Sequence, residues 1–479
     1  MKALVFERVV PRFAAARVAA TLRGSGRGAA VGPLRLLDQD PPAAPGPDWI
    51  HVRPRLAGIC GSDLATVDGA SSRYFEDLVS FPFVPGHEIL GVVEASTGAG
   101  ASGAASAAGA GARAGGTGSE GVPGTGHAAD ASAADASAAD ASAAGASAAD
   151  ASAAGAGVWA SLQPGERVVV EPVLGCVPRA LEPPCPACAV GDTGSCQHVA
   201  FGHLSPGLQI GYCTDTGGGW STAGLVAHRS QLHLVPDTMS DEDAVMVEPT
   251  ACAVHGALSA GITGTDTVAV IGAGTLGLAT VAAVRQLLAP STLLVGARYA
   301  HQRSLAVELG ADRAVPSAQL ERTVRRATHS LRTAGQVTAG ADVVIDCVGS
   351  ADSIAAALAM VRPRGRVVLV GMPGRVTLDL AGLWHRQVSL TGAYAYGTET
   401  VDGTRRRTFD LAFDVVAAAH LGRLVSARYP LERFTEALAH AGAAGSRGAV
   451  KIVFDLDQRP PRAAPGAPAG RSTPKGRRA

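Results

Sequence analysis

A strand that runs directly into a glycine turn and then a helix constrains this chain more than any other feature. Val268-Ala269-Val270-Ile271-Gly272-Ala273-Gly274-Thr275-Leu276-Gly277 places a β-branched run, a GxGxxG turn and an apolar helical stretch in that order. In that setting Gly272 permits the tight turn, Gly274 lets backbone approach a pyrophosphate, and Gly277 lets the helix pack on its strand. Thr275 and Leu276 open the helix, whose N-terminus then faces the phosphates. From about residue 250 to 390, β-rich runs such as 293–296, 343–346 and 367–370 alternate with helical patterns. That alternation is the signature of a doubly wound α/β sheet. Residues 267–284 are uncharged and mostly apolar, but they split into strand, turn and helix, so they do not predict a membrane span.

The second strand of this unit should end beside the adenosine ribose. An NAD site usually offers a carboxylate there; this chain reads Gly296-Ala297-Arg298. Ala297 removes the carboxylate, Gly296 leaves room, and Arg298 supplies a planar cation suited to a 2′-phosphate. The triplet therefore predicts NADP in preference to NAD. The alternative has Arg298 lying in solvent and the ribose held elsewhere.

Upstream, Gly58-Ile59-Cys60-Gly61-Ser62-Asp63 and Pro85-Gly86-His87-Glu88 put a thiol and an imidazole in glycine-flanked turns. Zinc binds that pair well, and Asp63 could hold the far ring nitrogen of His87. One Cys and one His by themselves equally describe a buried thiol and a structural histidine.

These segments, with Val247-Glu248-Pro249 downstream, resemble the zinc-dependent medium-chain alcohol dehydrogenases, and in particular the threonine, sorbitol and secondary-alcohol branches. The resemblance covers about residues 1–94 and 158–456. It implies a GroES-like β-rich catalytic domain over 1–250, a Rossmann cofactor domain over 251–391, and a return to the catalytic domain over 392–457. It also implies a catalytic zinc held by Cys60, His87 and Glu248, with Glu88 either in the shell or just behind it. Ser62 matches the hydroxyl that first accepts the alcohol proton. The relay histidine of several relatives is replaced by Ala65, which leaves water, a cofactor hydroxyl or another side chain to carry the proton; His255 reads better as a satisfied helix histidine. Gly349 and Gly371 match positions near the nicotinamide.

Cys185-Pro186-Ala187-Cys188 and Cys196 match the last three ligands of the family's structural zinc lobe, expected here over 176–196. Glu182 stands at the usual first position, so Cys176 is expected to complete the site. A three-cysteine remnant, with or without Glu182, is the alternative. Cys213, Cys252 and Cys347 lack ligand spacing and read as buried thiols.

Basic and acidic residues balance at 41 each, which excludes a global field for nucleic acid or an anionic membrane. Residues 95–157 are almost wholly Ala, Gly, Ser and Asp, with an Ala-Asp-Ala-Ser-Ala repeat. Five-residue spacing carries the aspartates around a helix, so no face can be buried, and a disordered insertion is expected. The basic tail 458–479 reads as a flexible extension, and residues 12–32 as an enlarged loop. The N-terminus lacks the long apolar core of a secretion signal, so a cytoplasmic location is expected. The resemblance implies a homodimer or homotetramer acting on a small alcohol or carbonyl. Two competing readings are an NAD-linked threonine- or sorbitol-type dehydrogenase and a catalytically silent NADP-binding protein. A double-bond reductase would generally lack the zinc ligands.

Overall fold

The computed structural model describes residues 1–94 and 162–457. The expected insertion and the basic tail lie outside those residues. Two sheets organise the rest. The first is six-stranded and parallel throughout, in the order Arg313–Val315, Thr292–Gly296, Thr267–Ile271, Ala341–Asp346, Val361–Leu369, Ser389–Gly392. Numbered along the chain this is 3-2-1-4-5-6, so the order reverses between Thr267–Ile271 and Ala341–Asp346, where a ligand crevice forms. Both faces are covered by helices, which is why Val268, Ala269 and Val270 are wholly buried and the strand reads as a continuous apolar run. The apolar stretch at 267–284 is the strand Thr267–Ile271 followed by the helix Thr275–Leu287. Among the described residues no helix is long and apolar enough to cross a membrane.

The second sheet has seven strands. Its path runs Val425–Tyr429, Lys451–Asp455, Trp49–Gly58, Ile89–Val93, Arg167–Val170, Leu232–Leu234, with Leu225–His228 also pairing to Trp49–Gly58. The pairing that matters most for the site joins the two ends of the chain. Lys451–Asp455 lies antiparallel to Trp49–Gly58, with Val453 opposite Gly58, and Ile59 N–H donates to the Ile452 carbonyl at 3.1 Å. A residue near the C-terminus is thereby placed beside the Cys60 turn.

Helix Val247–Ser259 spans the expected boundary at 250/251 and is buried on nearly every side. It packs against Thr275–Leu287 and against Thr408–Ala419, all three contributing to one apolar cluster. The segment after 391 therefore packs first on the parallel-sheet side, and only Val425–Tyr429 and Lys451–Asp455 rejoin the β-rich sheet.

The loop expected over 12–32 is a misreading. Val10–Arg23 is a 14-residue helix with Pro11 in its first turn, ended at Gly24, whose φ is 96°. Alanine and arginine favour helix, and the glycines that marked a loop fall beyond its end. Ala16 is fully buried, and Phe13 meets Phe6 edge-on at 5.3 Å.

Candidate metal and cofactor site

Strand Trp49–Gly58 ends where Glu88 and Lys451 crowd the backbone; a side chain at Gly58 would collide with the Glu88 carboxylate. Cys60 then takes an extended conformation and caps helix Gly61–Val67, with Asp63 Oδ2 accepting the Cys60 N–H at 3.0 Å. That reciprocal cap fixes the Cys60 side chain at the N-terminus of its own helix. Gly86, at φ 96°, lets the chain pass over the Trp220 ring and turns His87 inward, where it is 4% exposed. Trp220 is core, its indole N–H donating to the Gly58 carbonyl at 3.1 Å.

The structure brings Cys60, Ser62 and His87 together. Ser62 Oγ lies 3.5 Å from His87 Nε2, and Cys60 is near enough to act on the charge of the same ring. Asp63 Oδ1 lies 3.4 Å from His87 Nδ1, close enough for charge pairing though not aligned as a hydrogen bond. Burial opposes a charge on His87, but the Asp63 carboxylate and then Cys60 outweigh it and raise the imidazole well above its ordinary value. Surroundings this negative attract a cation of any kind.

Glu248 enters from the first turn of helix Val247–Ser259 and is 4% exposed. It accepts a hydrogen bond from the Tyr396 hydroxyl at 3.1 Å, and the Cys252 thiol lies 3.9 Å from the same oxygen. Burial pushes its carboxyl up to about 7. Both of those donors are neutral, and Glu248 forms no ion pair among the described residues, in contrast to Glu88. A buried carboxylate of this kind is satisfied by a bound cation. Thiolate, imidazole and carboxylate together fit zinc.

Glu88, 1% exposed, is paired with Lys451 Nζ, which also donates to the Ile59 carbonyl at 3.3 Å. Burial would lower Lys451, but the Glu88 charge overrides it and the ammonium is held above its ordinary value. His255 is engaged elsewhere, with Nδ1 2.7 Å from Glu399 Oε1. Trp384 is 80% exposed and stands away from the core; Tyr394 is half-exposed.

The second cysteine cluster is compact. The sulfurs of Cys176, Cys185, Cys188 and Cys196 all lie within 4.8 Å of one another. Glu182 is exposed and outside this group. Backbone N–H groups of Cys185 and His198 point at Cys176 and Cys196 sulfurs, at 3.3 Å each. A hydrogen bond from Cys188 brings the Cys196 thiol down to about 5, whereas burial pushes Cys176 up to about 11. The sulfurs thus share protons, and a divalent cation replacing those protons would satisfy all four. Arg179, wholly buried, anchors the lobe by donating to the carbonyls of Leu174, Phe201, Leu204, Ser205 and Gly207.

At the crevice of the parallel sheet, Gly272 has φ 92°, and a side chain at Gly277 would strike the Gly272 carbonyl. Gly274 caps helix Thr275–Leu287, and Thr275 Oγ1 lies 3.4 Å from the Val450 carbonyl. Leu276 follows in that first turn. A cleft of about 440 Å³ opens here, lined by Gly274, Arg298, Tyr299, Gln302, Ser446 and Val450 among others. Ala297 is buried at the strand end, whereas Arg298 is exposed and its guanidinium has no partner among the described residues. Gly349, at φ 74°, and Gly371 let the turns after two adjacent strands touch.

The zinc-binding dehydrogenase family model matches residues 275–420, and the alcohol dehydrogenase GroES-like domain model matches 46–136. The chain belongs to the zinc-dependent medium-chain alcohol dehydrogenases. This dehydrogenase is 25% identical over 420 residues to L-idonate 5-dehydrogenase of Vitis vinifera, covering 86% of the chain and 89% of the relative. It is also 25% identical over 415 residues to a sorbitol dehydrogenase of Arabidopsis thaliana, with 86% and 89% covered. It shares its fold with a putative zinc-binding dehydrogenase from Sinorhizobium meliloti 1021 solved bound to NADP. The TM-score is 0.56 and identity 22%, over 88% of this chain and 95% of that one. The GroES-like and Rossmann halves implied by the sequence are both present.

Several contributors escaped the sequence reading of this dehydrogenase: Lys451, Tyr396, Tyr212, Cys252 as a neighbour of Glu248, and Arg179. Only Lys451 carried a signal, being a lone cation inside the apolar run Val450-Lys451-Ile452-Val453-Phe454.

Proposed function

We propose that this enzyme interconverts a small alcohol or polyol with its carbonyl, using zinc and NADP in preference to NAD. The observation that supports this reading is a buried carboxylate without an ion pair among the described residues, Glu248, within the electrostatic reach of His87, which itself sits beside Ser62 and Cys60. When bound, the zinc polarises the substrate oxygen and the nicotinamide accepts or returns a hydride. Cys60, His87 and Glu248 hold the metal, with Tyr396 orienting Glu248. Glu88, neutralised by Lys451, stands behind the ligands and stiffens the turn. Ser62 takes the alcohol proton. Cys176, Cys185, Cys188 and Cys196 hold a second, structural zinc.

Gly272, Gly274, Thr275, Leu276 and Gly277 cradle the pyrophosphate, Gly349 and Gly371 admit the nicotinamide, and Ala297 with Arg298 favours a 2′-phosphate. The free cysteines, with no disulfide among the described residues, suit a reducing cytoplasm. The edge strand Ser389–Gly392, with Leu380 and Trp384 exposed at 50% and 80% nearby, supports a homodimer or homotetramer. A panel of alcohols and polyols, read by cofactor absorbance alongside zinc analysis, tests the proposal. Turnover that needs zinc and vanishes in Cys60→Ser supports it; a Cys60→Ser protein that keeps its full zinc content and activity overturns it.

A further inference from the structure

Besides its four sulfurs, the cysteine lobe holds an imidazole. Cys185 caps the short helix Pro186–Ala189 and accepts the Cys188 N–H at 3.5 Å, so one turn sets both of these sulfurs. Cys196 follows the turn Thr193–Ser195, and the His198 N–H folds back onto its sulfur at 3.3 Å. That fold-back carries the ring to the remaining cysteine, with His198 Nδ1 3.4 Å from Cys176 Sγ. Phe201 meets the ring edge-on, centroids 6.3 Å apart, and its N–H donates to the His198 carbonyl at 3.0 Å. Cys176 arrives from a separate turn, outside the Cys-x2-Cys-x7-Cys spacing of the other three, and its sulfur lies 3.8 Å from Cys196 Sγ.

Two donors of one tetrahedral zinc, a sulfur at about 2.3 Å and an imidazole nitrogen at about 2.0 Å, stand roughly 3.5 Å apart. The separation of Cys176 and His198 is of that size. Three cysteines with one histidine are as common a structural zinc set as four cysteines. They also leave one negative charge fewer, which suits a site where Cys176, Cys185 and Cys196 are buried.

We propose that His198 is a reserve zinc ligand, binding through Nδ1 when the Cys176 thiolate is lost. The inference rests on the reading of the four cysteines as a zinc site. The resting lobe uses its four sulfurs. Without Cys176, the imidazole closes the tetrahedron with Cys185, Cys188 and Cys196, so the lobe keeps its metal and the loop its order. Cys188 has no such substitute, since no imidazole bonds to its sulfur among the described residues.

The test counts zinc in full-length protein carrying Cys60→Ser, so that the lobe's metal is read by itself. On that parent, Cys176→Ala should still hold close to one zinc per chain, and Cys176→Ser, nearer in size, should match it. X-ray absorption at the zinc edge should then show three sulfurs and the outer-shell scattering of one imidazole. Adding His198→Ala to Cys176→Ala should weaken zinc at least about a hundredfold in competition with a chelator. Cys188→Ala should lose its zinc even with His198 intact. His198→Ala alone should bind zinc within about threefold of the parent, because all four sulfurs remain. Loss of zinc from both Cys176 variants while the parent keeps its own overturns the reserve role alone. So does a double variant that binds as tightly as Cys176→Ala. A parent with no zinc in the lobe overturns the reading of the four cysteines instead.

Discussion

The four-cysteine lobe and the Cys60–His87–Glu248 centre employ similar donors under opposite constraints. The lobe draws every sulfur from residues 176–196, and backbone N–H groups of Cys185 and the adjoining His198 point at two of those sulfurs. Arg179 ties that segment down through main-chain carbonyls. Such a site is closed, and closing it stabilises a loop with little apolar core of its own. The other centre collects its groups from a helix cap, a glycine turn and a buried helix far along the chain, and surrounds them with hydroxyls. Its donors are fixed by their neighbours, which would let a metal site there stay open to substrate. A metal in the first region should be worth stability, and a metal in the second should be worth rate.

The sharpest way to break that contrast is Cys60→Ser. Turnover should drop by roughly a thousandfold or more, one zinc per chain should be lost, and the melting temperature should move by no more than about 2 °C. A large loss of stability would make the open centre structural as well. Cys188→Ser is the mirror experiment. It should release the other zinc and lower the melting temperature by about 5 °C or more, with kcat of the remaining folded protein changed less than about threefold. If calorimetry shows no shift, the lobe is not a fold-stabilising site.

Arg298→Ala probes the cofactor side. Losing one charge-assisted contact should reduce kcat/KM with NADP about ten- to a hundredfold and leave NAD nearly untouched, as steady-state kinetics with both cofactors would show. Equal losses with both would place Arg298 away from the 2′-phosphate.

The smallest effect concerns the junction between the β-rich sheet and the segment after 391. Glu171 there meets His233 Nε2 at 2.9 Å and is also paired with Arg407. Burial would raise Glu171, but the Arg407 charge and the His233 bond outweigh it, and the carboxyl is held below its ordinary value. Stability from this group is therefore present above the ordinary carboxylate range and lost as pH falls through the lowered value. Burial also lowers His233, so the unfolded chain takes up protons there first and acid weakens the junction further. Glu171→Gln should flatten the acid side of a melting-temperature profile while sparing turnover per folded molecule near neutrality. An unaltered acid side would assign the acid sensitivity elsewhere.

Turns and capping boxes are written in a few adjacent residues, and those were legible. The glycine turn at 272–277, the cysteine turn at 58–63 and the cysteine spacing at 185–196 each carry their signature in a few neighbouring residues, so their chemistry can be argued from spacing. Helix Val10–Arg23 shows the limit even at short range. Alanine and arginine leave helix and loop both open, and burial of Ala16 against the rest of the molecule settles it. Partners chosen across the fold were not legible. Lys451 meets Glu88 across 363 residues, and Tyr396 meets Glu248 across 148. Tyr212 meets Asp63 across 149. Spacing carries no information about such pairs, because each forms only when a later strand or loop docks on an earlier one. For Lys451 that event is the pairing of Lys451–Asp455 with Trp49–Gly58. The sequence alone marked out the donors that a metal and a dinucleotide could use. Tertiary structure decided which carboxylate was neutralised by a lysine and which was left for a cation, since burial and charge pairing depend on what lies within a few ångströms in space.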